Sequence, residues 1–291
     1  MELHWKASFS ASCLHAVACA EGGFPAIDSE LAQLIEQPAT VLIGSLAEFQ
    51  LPVRPTLQTL ASLASSYDNN RQLVELTLTR LRGPGAREQV VSLIAAAIGT
   101  LETKVLAARP EMVDELALRA KPLQEQWSAR GPGLLKQVER LTDENFVAPS
   151  AEVVLVQPWV GGYGRTDLKT NRVLFEAVLT NPHSDLPEAL RLGWLLSQLN
   201  SDLPVYSEVI TNGNLERVAA LATLPVILTA AETVEWCMCD LATIERCIEC
   251  WQIETESPQQ LAEQLFRWWN TYQGGSTSWA VAWRALESLL G

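Results

Sequence analysis

Residues 185–200 read "DLPEALRLGWLLSQLN", and this stretch predicts a helix that is buried on two sides. At 3.6 residues per turn, four apolar residues form one stripe, and Leu190 and Trp194 form a second stripe beside it. Asp185 is placed to cap this helix, with Pro187 in its first turn. None of the inward-facing side chains can carry out chemistry, so the stretch is expected to be a core helix over residues 186–200.

The segment before this helix changes from helical to β character. Residues 148–182 contain two β-branched runs, which predict paired strands at 152–157 and 172–179. Between them lies "VGGYGRT", whose glycines could cradle a phosphate. No Lys-Ser/Thr pair and no helix follow the glycines, as the known phosphate motifs require, so a hairpin loop is the expected structure.

Helices are predicted over most of the remaining chain. The first ten residues alternate and suggest a short strand, after which apolar spacings of three and four predict an antiparallel helical layer. Pro38 is expected to interrupt the first long helix after that strand. Four further helices are expected near the C-terminus, around 213–235, 240–251, 257–272 and 276–290.

The order of elements over residues 134–200 resembles the core of zincin-type metallopeptidases. The shared features are "GLLKQVERLTDENFVAP", a strand, a glycine-containing loop, a second strand and a helix after "DLPEA". In that family an edge strand precedes a helix carrying H-E-x-x-H, whose histidines bind zinc and whose glutamate is the general base. Aligned on "LRLGWLL", the motif places Leu190 and Trp194 at the histidine positions and Arg191 at the glutamate position.

The resemblance implies the fold and argues against peptidase activity. Leucine and tryptophan offer no lone pair suited to zinc, and a guanidinium cannot act as a general base near neutral pH. A downstream carboxylate could occupy the position of the third ligand, but it would not hold zinc without the histidines. The candidates for that position are Glu208, Glu216, Glu232 and Glu235.

These observations predict a predominantly helical α+β protein. Residues 1–130 form a mainly helical N-terminal region, and residues 131–291 form a zincin-like half with a small β-sheet and a buried central helix. No Gly-, Ser- or Pro-rich linker separates the two regions, so they are expected to pack as one unit.

The leading functional hypothesis is a non-catalytic protein that uses a degenerate metallopeptidase-like fold for peptide or protein binding, or as a scaffold. It predicts no catalytic residue and no cofactor. A binding groove is expected between the glycine loop and the helix at 186–200. Its predicted contacts are Trp159, Gly161, Gly162, Tyr163, Gly164, Arg165, Arg191 and Trp194.

A second hypothesis is a metal- or thiol-dependent enzyme that uses Cys237, Cys239, Cys247 and Cys250. Four thiolates could bind zinc, but the spacing lacks the turn residues of a zinc knuckle and part of the segment reads as helix. The histidines His4, His15 and His183 are expected to be structural or exposed, although a Cys13–His15 dyad remains an alternative.

A third hypothesis is a helical module that self-associates through an exposed tryptophan face. Ten tryptophans are present, and Trp268, Trp269, Trp279 and Trp283 cluster near the C-terminus. Large aromatic residues at helical spacing are usually core residues, so packing is the expected role.

The composition bears on partners and compartment. The net charge of −13 opposes binding to nucleic acid or to anionic membranes, and no apolar run reaches the length of a membrane span. The sequence Ala18-Cys19-Ala20 resembles a signal-peptidase site, but Glu2, His15 and several serines do not fit a signal peptide. Six cysteines without a convincing export signal favour reduced thiols and a cytoplasmic location.

Overall fold

The computed structural model describes residues 1–85, 87–178, 181, 183–211 and 213–290. Within these ranges the chain forms twelve α-helices and one four-stranded mixed sheet, which agrees with a predominantly helical α+β fold. In chain order the elements are β1 (Glu2–Ala7), α1 (Phe9–Glu21), α2 (Ser29–Glu48), α3 (Val53–Leu63), α4 (Asn70–Arg82), α5 (Glu88–Ala108), α6 (Met112–Leu141), β2 (Ser150–Val156), β3 (Gly164–Asp167), β4 (Arg172–Glu176), α7 (Glu188–Leu196), α8 (Pro204–Ser207), α9 (Leu215–Thr233), α10 (Leu241–Cys250), α11 (Pro258–Gln273) and α12 (Trp279–Leu290).

The sheet has the strand order β1-β2-β4-β3. Strand β2 pairs in parallel with both β1 and β4, whereas β3 runs antiparallel to β4 at the edge. The N-terminal strand therefore shares its sheet with strands from the second half of the chain, and α6 runs through residues 130 and 131. Strands β2 and β4 are almost fully buried, as expected for parallel strands covered on both faces.

The hairpin predicted at "VGGYGRT" is wrong in position. The two β-branched runs do pair, but they run in parallel. The strand β3 lies between them in the chain and pairs antiparallel with β4. The hairpin instead joins β3 to β4 through a short 3-10 turn and Asn171, which adopts φ 50°. The polar sequence "GRTD" of β3 carries almost no strand signal. The predicted end of the second strand, Leu179, lies outside the described residues.

Predictions about two of the helices are also wrong. Helix α2 continues through Pro38, which is buried, so packing offsets the hydrogen bond that a proline removes. Helix α7 begins at Glu188, which places Pro187 before its first turn, and it ends at Leu196 rather than at residue 200. Asp185 does not cap this helix but forms an ion pair with Arg246 at 2.8 Å.

The C-terminal tryptophans are core residues. Trp268, Trp269, Trp279 and Trp283 are each at most 5% exposed, and their rings contact one another and Tyr272. The packing role predicted for them is confirmed. An exposed surface made of these four rings does not form.

One helix within the described residues, α5, is long and apolar enough by length and composition to cross a membrane. Only 33% of the relevant window is buried, and core helices of soluble proteins pass the same test.

Candidate functional site

The glycine loop between β2 and β3 encloses the carboxylate of Glu176, the last residue of β4. Five consecutive backbone N–H groups, those of residues 159–163, donate to this one side chain over 2.8–3.0 Å. The side chain is fully buried. The loop therefore does hold an anion, as its glycines suggested, but the anion belongs to the chain itself.

The sequence of the loop explains this geometry. Gly161 and Gly162 adopt φ 90° and φ 146°, a region that side chains with a Cβ rarely occupy. A Cβ on Gly162 would also come within 2.9 Å of Nη1 of Arg191. The two glycines let consecutive N–H groups turn toward one point, which non-glycine residues would resist.

His15, from helix α1, completes the shell around Glu176. Its Nε2 donates to Oε1 of Glu176 over 2.9 Å, and both side chains are buried. Burial alone would raise the pKa of Glu176, but the hydrogen bond and charge of His15 and the loop N–H groups lower it to about 2. Glu176 is thus an ionised carboxylate in the core, stabilised by hydrogen bonds on both oxygens.

His15, Cys19 and Glu176 are the described residues whose ligand atoms group closely enough, within 4.8 Å, to hold a metal ion. The donor set does not fit this role. The Nε2 proton of His15 and both Glu176 oxygens are already used in hydrogen bonds. Burial raises the pKa of Cys19, which disfavours the thiolate that a metal or a nucleophilic reaction needs. The cluster therefore has a structural role, in which His15 and the loop hold the ionised carboxylate of Glu176.

The predicted zinc-motif positions all lie in the core. Leu190 is 0% exposed, Arg191 2% and Trp194 5%. The indole Nε1 of Trp194 donates to the carbonyl of Ala220 in α9 over 2.8 Å, and its ring stacks on Trp251 at 5.0 Å. The Trp194 side chain is thus packed against α9 and Trp251.

Arg191 lies directly beneath the glycine loop. Its guanidinium pairs with Glu188, donates to the backbone carbonyl of Glu176 over 3.3 Å and stands 4.3 Å above the Phe175 ring. Burial lowers the pKa of this guanidinium, and the two neighbouring carboxylates act in the opposite direction. Its contacts tie α7 to β4 and leave no space for substrate at this position.

The four glutamates considered as a third metal ligand are exposed, whereas the motif positions on α7 are buried. One of them, Glu232, accepts a hydrogen bond from the backbone N–H of Cys239 over 2.6 Å. The described residues therefore bring none of Glu208, Glu216, Glu232 and Glu235 into a metal-binding group with α7.

The predicted cysteine site does not assemble either. Among the described residues, no three of Cys237, Cys239, Cys247 and Cys250 place their sulfur atoms within 4.8 Å of one another. Burial raises the pKa of Cys237 to about 12 and that of Cys239 to about 11, and it also raises the pKa values of Cys247 and Cys250. All four thiols are therefore protonated near neutral pH.

The remaining predicted contact residues anchor the loop to its surroundings. Trp159 is 4% exposed and its Nε1 donates to the carbonyl of Phe24 over 3.1 Å. Gly164 approaches Leu195 so closely that a Cβ would lie 2.7 Å from it. Arg165 donates to the carbonyl of Gln58 in α3, and the ring of Tyr163 packs on Phe24 at 4.9 Å. Helix α7 thus packs directly on the loop where a groove was expected.

An open cleft of about 690 Å³ lies on another side of the same loop. No residue of α7 lines it. A second cleft of about 410 Å³ adjoins it and shares Ile27, Arg119 and Pro158. The larger cleft is lined by these three residues together with Val160, Gly161, Gly162, Val178, His183, Glu249, Cys250 and Gln252.

Sequence reasoning missed Glu176 and Arg119. The available signal for Glu176 was an acidic residue within the apolar run "VLFEAV", which follows the glycine loop later in the chain. No comparable signal marks Arg119, because a single arginine on a long amphipathic helix usually faces solvent.

Comparisons with protein-family models, with curated proteins and with solved structures give no match for this chain.

Proposed function

We propose that this chain is a non-catalytic binding protein of degenerate zincin-type fold, and that it binds an extended peptide segment in the larger cleft. The observation that carries the non-catalytic part is the burial of Leu190, Arg191 and Trp194 in closed packing. The antiparallel edge strand β3 followed by α7 beneath the sheet supports the likeness to the zincin core.

The backbone of the glycine loop supports peptide binding. The described peptide bonds are all trans, so each carbonyl points opposite to the N–H of the next residue. The N–H groups of residues 160–163 point at Glu176, and the carbonyls of residues 159–162 therefore point away from it. The carbonyl of Trp159 accepts from the N–H of Ile27 over 2.8 Å.

The three carbonyls that follow are available to a ligand. Val160, Gly161 and Gly162 line the larger cleft, and no donor among the described residues is bonded to their oxygens. Backbone acceptors without a donor can bond the N–H groups of an extended peptide, of which every second one faces a given surface. Ile27 and Val178 supply apolar surface beside this row.

The free thiols support a reducing compartment such as the cytoplasm. All six cysteines lie in the described ranges and each is free. All six carry a raised pKa, with burial as its largest cause, which protects them from oxidation only while the protein stays folded.

Substituting Ile27 tests the proposal. Ile27 is 62% exposed and lines both clefts, so Ile27→Asp is expected to leave stability unchanged. An immobilised random peptide library selected against the wild-type protein should yield binders. Their affinity, measured by fluorescence polarisation, should fall by roughly tenfold in the variant, because a charge replaces the apolar contact.

The matched control is Val41→Asp, which changes an exposed residue on α2 that does not line either cleft. It should bind the selected peptides as the wild type does. A library that yields no binder would contradict the proposed binding site. Binders whose affinity changes with neither substitution would also contradict it.

A further inference from the structure

Arg119, on helix α6, faces both clefts with much of its hydrogen-bonding capacity unused. Its side chain is 16% exposed and lines the larger and the smaller cleft. Its Nη1 donates to the carbonyl of Ala177 over 3.3 Å and its Nη2 lies 3.5 Å from Glu115, both long contacts. Its Nε is buried and has no partner among the described residues. A guanidinium offers five N–H donors, so Arg119 can still accept an anion.

The other arginine that lines these clefts is already occupied. Arg109 pairs with Asp28 at 3.2 Å, with Glu30 at 3.8 Å and with Glu111 at 3.0 Å. Of the two arginines that line the clefts in the described ranges, Arg119 is thus the one that has an N–H without a partner and that makes only long contacts with its other nitrogens.

The charged and polar groups that line the clefts determine which kind of anion can bind. A phosphate group would need several N–H donors, but the N–H groups of the loop are already bonded to Glu176. Glu249 in the larger cleft and Glu30 in the smaller one add negative charge. The two glutamates repel a multiply charged anion. Together with the loop carbonyls, they attract a ligand that carries N–H donors beside a single carboxylate.

We propose that Arg119 is a carboxylate-binding residue and that its ligand is the C-terminal carboxylate of a peptide. Peptide N–H groups donate to carbonyls of the glycine loop, and the terminal carboxylate accepts from the unused N–H donors of the guanidinium. This inference rests on the proposed peptide binding and specifies which end of the peptide is recognised.

The first test compares each selected peptide with a free C-terminus against the same peptide with a C-terminal amide. Fluorescence polarisation should show that amidation weakens binding to the wild-type protein by roughly tenfold to a hundredfold, the effect of losing a charge-assisted hydrogen-bonded pair. In Arg119→Gln the acid and amide forms should bind alike. Arg217→Gln, which changes an exposed arginine outside both clefts, should keep the wild-type preference.

Equal affinity of acid and amide forms for the wild-type protein would overturn the carboxylate site and leave the proposed peptide binding intact. Failure of the library to yield any binder would overturn the proposed peptide binding itself. The two failures are therefore distinguishable.

A second measurement needs no peptide. Sodium acetate titrated into the wild-type protein, with arginine side chains labelled with nitrogen-15, should shift the Nε–H resonance of Arg119 with saturation. That resonance is assigned by its absence from the spectrum of Arg119→Gln. An Nε–H resonance that does not respond to acetate would overturn the proposal.

Discussion

Replacing Glu176 by glutamine is expected to lower the free energy of unfolding by about 3–5 kcal/mol, the usual cost of breaking a buried charged network. The ionised carboxylate accepts from five loop N–H groups and from His15. A glutamine has one acceptor oxygen, and its NH₂ group would face N–H donors at the other position. Urea denaturation monitored by tryptophan fluorescence measures the loss.

Glu36→Gln is the matched control for this prediction. Glu36 is an exposed residue of α2, and the change should alter stability by less than about 0.5 kcal/mol. If Glu176→Gln unfolded at the same urea concentration as Glu36→Gln, the loop would not depend on the internal carboxylate and the structural role described above would be wrong.

The same carboxylate should make stability depend on acid pH. The folded pKa of Glu176 is about 2 and lies below its ordinary value of 4.5, so the unfolded chain binds the proton more tightly. The stabilisation is fully present above about pH 4.5 and is lost as the pH falls toward about 2, amounting to about 3 kcal/mol. Urea denaturation across this window should show a smaller decline in Glu176→Gln than in the wild-type protein.

Trp194→Ala is expected to lower the free energy of unfolding by a similar amount, about 3–5 kcal/mol. The ring is 5% exposed, stacks on Trp251 and holds α7 to α9 through its bond to the Ala220 carbonyl. Removing it leaves a cavity between α7, α9 and Trp251. Urea denaturation measures the change, with Trp251 still present as a fluorescent probe.

Leu118→Ala provides the comparison for Trp194→Ala. Leu118 is 60% exposed on α6, so its truncation should change stability by less than about 0.5 kcal/mol. A tolerated Trp194→Ala, equal in stability to the control, would mean that the site beside α7 is open rather than packed.

The sequence was sufficient for the features that depend on local pattern. Apolar spacing located the helices, and β-branched runs located β2 and β4, although the two strands pair in parallel and not as the expected hairpin. Helical spacing of the C-terminal tryptophans predicted their burial correctly. These features are encoded within short windows, where side-chain periodicity reports directly which face is buried.

The features that position the candidate site depend on distant residues, and the sequence could not predict them. His15 lies 161 residues before Glu176, and the loop that wraps the carboxylate precedes it by 13 to 17 residues. Within "VLFEAV" the glutamate looks like a polar interruption of a strand. The strand β3 was missed because its four residues are mostly polar, and Pro38 was misjudged because tertiary packing offsets its local cost.

The position of the cleft also depends on distant residues, so the sequence could not predict it. The expected groove beside the helix at 186–200 is occupied by Arg191 and Leu195, which approach Gly162 and Gly164 from below. Arg119 reaches the cleft from α6, and nothing in its local sequence indicates which way its guanidinium points. Only the packing of α6 near the loop and Ala177 brings this arginine to the cleft.

The central claim is the proposal that Leu190, Arg191 and Trp194, which are buried, stand where a zincin would hold its metal site, so that the chain binds without a catalytic metal. Zinc content tests it most directly. The wild-type protein is equilibrated with zinc chloride, dialysed and measured by inductively coupled plasma mass spectrometry, in parallel with Cys247→Ser. The account predicts no stoichiometric zinc in either protein. One zinc per wild-type chain would contradict it, and loss of that zinc in Cys247→Ser would assign the metal to the cysteine cluster.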